Sequence, residues 1–488
     1  MRISIMTKRT AALAAVMACL AFGQSVHAQD LSDILLEEII VTATKRAGGE
    51  EAQQAGVAVT VFGASQLDAM HIRDLKAIGY SAPSVQLEDV GTIRGTANFS
   101  IRGLGINSSI PSIDPTVGVF IDGMYYGVTS GVVLDVFDLQ SVEVLRGPQG
   151  LLFGRNVTGG AVVMNTTGPT EEFEFNGRVA METGDNMYLS AVATGPLTDR
   201  IGWKLAGYFN DDGGWHTNLA NGNDSFGKAE TTMVRGAIDF DVTDDLYLIL
   251  RAEQGNAEGD GPAAHNGGCV AFAVPGFCAG QYDEDGFDFA IDEEGFYDSE
   301  WTNLILQADW DVGFGDGTIT NILAYRQYES ESLGDIDSTP AFLFHAPAFL
   351  DQDQISNELR YSGGWNNVDL TTGLYYFAQE FDYVERRIIT PGLPTAADIT
   401  GGGRQDQTTW GLFAQVDFHL SDQITLNLGG RYTDEEKEAQ VATIPLNLCT
   451  FPTACSNFDF SDKRSWDNFT PKIGVQIRPN DDTQVYAF

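Results

Sequence analysis

The chain has 488 residues and a formal charge of −40, with 68 acidic against 28 basic side chains. That length leaves room for two or three domains at ~100–200 residues each. The charge excludes a general nucleic-acid binder, because affinity for phosphate backbones comes from clustered Lys and Arg.

Arg2, Lys8 and Arg9 precede an apolar run from Ala11 to Phe22, and Val26-His27-Ala28 places small residues at the −3 and −1 positions of a cleavage site before Gln29. This order is that of a secretory signal peptide over residues 1–28. The run falls short of the ~20 apolar residues that a membrane-crossing helix needs. A lipoprotein pattern through Val16-Met17-Ala18-Cys19 is only partly kept. In the following segment, 29–49, the stretch 37-EEIIVTA-43 has the β-branched residues of a strand and by itself reads as an ordinary one.

Residues 50–168 read as a small mixed α+β domain. A helix is expected over 65-SQLDAMHIRDLKAI-78, with Ser65 and Asp68 as a capping box and Leu67, His71, Leu75 and Ile78 on one face. Short apolar strands with glycine-rich connections follow. The densest stretch, 141-SVEVLRGPQGLLFGRNVTGGAVVMNTT-167, lacks the Gly-Lys-Ser/Thr of a phosphate loop, and its Asn156-Val157-Thr158 sequon is a bare three-residue match. What remains is backbone geometry: Gly147, Gly150, Gly154, Gly159 and Gly160 permit tight turns between strands 142-VEVL-145 and 161-AVVMN-165.

From about Glu171 the pattern changes to period two. Trp410, Leu412, Ala414, Val416, Phe418 and Leu420 alternate with small or polar residues, and Ile201, Trp203, Leu205 and Phe209 repeat the device. Short turns (196-PLTDR-200, 242-VTDD-245, 313-GFGDG-317, 419-HLSDQ-423, 478-RPNDD-482) alternate with long polar segments near 211–228, 258–299, 330–352, 388–407 and 440–466. Short turns on one side and long loops on the other are the plan of an antiparallel transmembrane β-barrel, with Trp203, Trp301, Trp310 and Trp410 at strand ends as interface aromatics. A soluble sandwich also alternates but does not explain the turn asymmetry. About twelve strands are expected, with a thirteenth starting at Thr483, which suggests a chain cut from a larger barrel, because single-chain bacterial barrels close on an even number. The competing reading takes Tyr486 and Phe488 as an aromatic terminal signature.

After the signal, Cys269 with Cys278 and Cys449 with Cys455 form two close pairs, which in an oxidising compartment read as local loop disulfides. A zinc site is the alternative, without CxxC spacing to support it. The loop 282-YDEDGFDFAIDEEGFYD-298 is dense in carboxylates but lacks EF-hand order, so it reads as a solvated acidic loop with no assigned metal. Its Tyr282, Phe287, Phe289, Phe296 and Tyr297 are candidate contacts for an aromatic or sugar-like ligand. His71, His216, His265, His345 and His419 are scattered, so no catalytic constellation is recognisable and no enzyme is expected.

Taken in order, 101-IRGLG-105, 119-VFIDG-123, 142-VEVLRGPQG-150, 153-FGRN-156 and 159-GGAVV-163 resemble the plug domain of the TonB-dependent outer-membrane receptors, and 37-EEIIVTA-43 resembles their TonB box. The likeness extends over 29–488, through motifs in the plug and through architecture in the barrel at 169–488. It implies a barrel of about 22 strands around the plug, placed in the outer membrane of a Gram-negative bacterium. Glu38, Ile39, Ile40, Val41, Thr42 and Ala43 would pair with TonB as an added strand. Arg102 and Arg146 match family arginines that meet acidic barrel residues, with Glu143 as a local partner. The implied function is active import of a scarce solute, a ferric siderophore first and a carbohydrate or other nutrient second. A barrel adhesin is a remote third. The implied partners are TonB with its inner-membrane complex, the iron chelate, outer-membrane lipid and the barrel assembly machinery. No cofactor is implied. The short stretch Gln29–Glu37 leads to the expectation that a periplasmic signalling domain is lacking.

Overall fold

The computed structural model describes residues 40–46, 48–90, 93–108, 110–132, 136–265, 286–390, 397–445, 459–480 and 483–488. Glu38, Ile39, Tyr282 and all four paired cysteines lie outside these residues.

The glycine-rich motifs assemble into one five-stranded sheet. Its order is Val59–Gly63, Leu139–Arg146, Gly160–Thr166, Val117–Ile121 and Met124–Tyr125. Gly160–Thr166 pairs antiparallel with Leu139–Arg146 and parallel with Val117–Ile121. The inner strands are largely apolar because both faces are covered, and Val142, Val144, Leu145, Ala161 and Val162 are all buried. A second sheet joins Val85–Val90, Ile93–Ile101 and Leu104–Gly105.

The single helix expected over 65–78 is two, Ala64–Ala69 and Leu75–Ser81. His71 breaks the run with a φ of +52°. Asp74 then caps the second helix by accepting from the Lys76 N–H at 2.6 Å, and no Ser65 capping box forms, since the first helix has Gly63 at its N-cap. The break lets Leu67, Ile72, Leu75 and Ile78 all reach the core while His71 stays exposed.

The second half is a thirteen-stranded antiparallel meander from Glu174–Glu182 to Thr483–Ala487, with each strand paired to the next in the sheet. Its first and last strands are not paired to each other among the described residues. Large apolar side chains face outward: Leu374 is 53% and Leu412 55% exposed, and the two sit opposite each other in register. Their neighbours Tyr375 and Phe413 point inward and are buried against the plug. This inverts a soluble sheet, in which the apolar face is the hidden one, and fits lipid outside.

Two expectations need correction. Trp301 is not an interface aromatic: it is 3% exposed and donates from its indole N–H to Glu253 Oε1 at 2.8 Å, whereas Trp310 on the same strand is 53% exposed. An odd separation along a strand sends two side chains to opposite faces. The loops expected at 330–352 and 388–407 are mostly strand, because Gly317–Asp335, Phe344–Trp365, Val368–Ile389 and Ala397–Ser421 run on in unbroken pairing far past what a bilayer requires. Beyond the lipid the ladder continues without an apolar face, so the alternation that marks a strand fades.

Candidate functional site

The strap at residues 40–51 is held at the short-turn end of the barrel. Ile40 and Val41 pair antiparallel with Glu51 and Glu50. Val41 and Ala43 are buried among Val61, Phe120, Leu145 and Phe153. Between them, Thr42 donates to Glu143 Oε1 from its backbone N–H at 2.9 Å and its hydroxyl at 2.7 Å, and the Ala43 N–H donates to Oε2 at 3.0 Å. Asn165 adds a further bond to Oε1 at 3.1 Å. Burial pushes the Glu143 carboxyl up, and the bonds from Thr42, Ala43 and Asn165 oppose that shift.

Glu143 therefore serves the strap and not an arginine. Residues 143 and 146 leave their strand on opposite faces, so Glu143 and Arg146 cannot meet. Arg102 is exposed with a φ of +54°. Among the described residues, neither Arg102 nor Arg146 forms an ion pair with a barrel carboxylate.

The charges that join plug to barrel lie elsewhere. Lys45 meets Glu358 at 2.5 Å, with its ammonium 5.1 Å and 5.4 Å from the ring centres of Phe153 and Phe413. Burial draws the Lys45 amine down to about 8 against the pull of Glu358. Arg46 reaches Asp417 at 2.5 Å and Asp369 at 3.6 Å. Gln476, Arg478 and Gln484 donate to the carbonyls of Gln54 and Ala55 at 2.7–2.8 Å. Farther in, Asp114 bridges Arg155 of the plug and Lys437 of the barrel. Burial works against its charge, yet Arg155 and then Lys437 hold the Asp114 carboxyl below the usual range.

Toward the long-loop end, Arg326 is fully buried and donates to the carbonyls of Ser130 and Gly131 at 3.2 Å, with Tyr126 and Tyr328 flanking its guanidinium at 4.5 and 4.8 Å. Gly131 takes a φ of +71°, and a Cβ there would run into Arg326 and Tyr328. Alternation cannot identify Glu358, Asp417, Arg326 or Lys437, although a charge at an inward position of a lipid-facing strand is the signal each one leaves. Arg155 lies within the 153-FGRN-156 motif.

The aromatics of the acidic loop are only partly available to a ligand. Phe289 is buried against Phe226 with ring centres 4.8 Å apart, and Phe287 packs on Trp215 at 4.3 Å. Nor is the described part of the loop simply solvated, because Glu294 accepts from the side-chain amides of Asn218, Asn221 and Asn223 at 2.9–3.2 Å.

Two family models match in series: the TonB-dependent receptor plug domain over residues 51–161 and the TonB-dependent receptor-like β-barrel over residues 273–488. An iron-regulated outer membrane virulence protein of Vibrio cholerae serotype O1 is 24% identical over 331 residues, which cover 64% of this chain and 45% of that protein. A ferrioxamine B receptor of Salmonella typhimurium is 25% identical over 446 residues, 81% of this chain and 58% of that receptor. The chain thus spans about half the length of these curated relatives. The crystal structure of a ferric yersiniabactin uptake receptor from Yersinia pestis superposes with a TM-score of 0.73 at 19% identity, covering 88% of this chain and 63% of that one. A motif-bearing plug, a lipid-facing meander around it and both family models in the same order establish that the chain is an outer-membrane protein belonging to the TonB-dependent receptors.

Proposed function

We propose that the protein imports a ferric siderophore across the outer membrane when TonB pairs with residues 38–43 and pulls. The observation that carries this reading is the attachment of the strap. Thr42 and Ala43 are fixed by main-chain and hydroxyl bonds to one buried carboxylate, Glu143, at the barrel's short-turn end, which in outer-membrane barrels faces the periplasm. A strand held this way can be peeled off and offered to a partner by β-augmentation. Force on it reaches Lys45 with Glu358 and then Arg46 with Asp417, the ion pairs that tie the strap to the barrel wall. The printed names of the relatives, a ferrioxamine B receptor and a ferric yersiniabactin uptake receptor, support an iron chelate as cargo. Outer-membrane lipid surrounds the barrel in this reading, and the barrel assembly machinery inserts it.

The test is uptake of labelled ferric siderophores by cells carrying either the wild type or Val41→Pro. Proline removes the N–H that strand pairing uses. Loss of uptake at equal surface abundance and equal ligand binding is expected, and undiminished uptake would overturn the mechanism. Cargo class is read separately, from abundance under an iron chelator against abundance during growth on plant sugars. Induction by a sugar alone would move the cargo to a carbohydrate.

A further inference from the structure

Three chain segments converge at the long-loop end of the barrel. Asp292 lies just before the strand Phe296–Val312, Asp335 ends the strand Gly317–Asp335, and His345 opens the strand Phe344–Trp365. One ligand atom from each falls within 4.8 Å of the others. The His345 Nε2 and Asp292 Oδ1 are already 3.1 Å apart.

Asp335 supplies an independent observation. It is 2% exposed, and its Oδ1 accepts from the backbone N–H groups of Asp337 and Ser338 at 3.0 and 2.8 Å. Its Oδ2 is buried and has no hydrogen-bond partner among the described residues. Neither Asp335 nor Asp292 is ion-paired with a lysine or arginine among the described residues. A buried carboxylate oxygen without a donor is costly, and a polar network left half satisfied calls for a missing group. A cation would satisfy this oxygen and at the same time offset the second carboxylate, Asp292, that stands beside it.

We propose that Asp292, Asp335 and His345 form a binding site for a divalent first-row cation of the Zn²⁺ type, which clamps the loop bearing Asp292 onto the hairpin between Asp335 and His345. The donor set selects the metal class. Imidazole nitrogen suits zinc-like ions, whereas Ca²⁺ takes six to eight oxygens that this trio does not offer. Zinc bonds of ~2.0–2.1 Å hold tetrahedral ligand atoms about 3.3–3.5 Å apart, so small side-chain rotations close the trio on an ion, with a fourth position left to water. The site lies apart from the strap and from every plug contact described above. A clamp here would fix the outer loop whose Phe289 is buried against Phe226, and thus set the shape of the extracellular mouth.

The test uses the full chain, untagged and refolded in detergent, titrated with Zn²⁺ against a chromophoric chelator and separately with Ca²⁺, for the wild type, Asp335→Asn and His345→Ala. The expected result is one tight Zn²⁺ per chain, weakened at least about tenfold in both variants, together with Zn²⁺-dependent protection of the segment 286–343 from protease in the wild type alone. His345→Ala changes a position at the loop edge, so it remains informative if Asp335→Asn fails to refold. Equal Zn²⁺ binding by wild type and His345→Ala would overturn the proposal, as would Ca²⁺ binding as tight as Zn²⁺.

Discussion

Glu143 and Thr42 are joined twice through one oxygen, the threonine giving both its N–H and its hydroxyl to Oε1. A third bond, from Ala43 to Oε2, makes this carboxylate the main polar anchor of the strap. Glu143→Ala removes both acceptor oxygens, and with them all three strap bonds, and leaves the part-buried Thr42 N–H and the buried Ala43 N–H to find water. A hydrogen bond to a charged group contributes about 1.5–3 kcal/mol, so opening of residues 40–43 should become at least tenfold more frequent. Hydrogen exchange of the Thr42 and Ala43 amides in detergent measures it. Exchange as slow as in the wild type would mean that apolar burial of Val41 and Ala43 alone holds the strap.

Lys45 gives the strap a pH dependence whose sign can be worked out. Its amine titrates near 8 when folded and near 10.5 when free, so between those values the opened strap holds a proton that the docked strap has released. Docking therefore strengthens as pH rises from about 8 to 10.5, and below 8 the buried ammonium costs a constant amount. At about 1.36 kcal/mol per unit the span is on the order of 3 kcal/mol. Lys45→Met should flatten the profile and leave Glu358 with Arg360 at 3.0 Å as its remaining cation. Protease access to the strap between pH 7 and 10, compared for wild type and variant, checks both the sign and the flattening.

Gly131 and Arg326 are matched across the interface, since the guanidinium occupies the space a side chain at 131 would need. Gly131→Val combines a left-handed backbone, strained for a branched residue, with that collision, and should cost several kcal/mol of plug docking. Arg326→Lys loses the fork that reaches two carbonyls and one glutamine at once. Both variants should release the plug to trypsin at lower denaturant than the wild type. A wild-type midpoint in Gly131→Val would show that the 130–131 turn can rebuild.

The plug was legible because its motifs are contiguous and its sheet is covered on both faces, so residues such as Val142, Val144 and Val162 lie in short, largely apolar strands. The meander was legible wherever lipid imposes one rule on alternate residues. The inner face has no such rule. Lys45 and Glu358 stand 313 positions apart and are joined only by the fold. The motif Val-Glu-Val-Leu-Arg points to Glu143 and suggests Arg146 as its partner, but a strand turns its third neighbour to the other face, and Glu143 meets Thr42 and Ala43 instead. The loop-end trio of Asp292, Asp335 and His345 lies on three separate elements, and no motif spacing could join them.

Leu374 tests the lipid-facing assignment directly. It stands six residues past the start of the strand Val368–Ile389, opposite Leu412, outward and half exposed, and Tyr375 beside it is buried against the plug cluster. An arginine near the bilayer centre on the lipid face costs ~2–4 kcal/mol, falling toward zero at the interfaces. Leu374→Arg should therefore lower the yield of heat-modifiable, folded protein in the outer membrane and reduce its unfolding free energy in lipid by that amount. Leu420→Arg, near the short turn, should cost far less. If both variants behave alike, the outward face of this meander does not meet hydrocarbon at the depth its register implies.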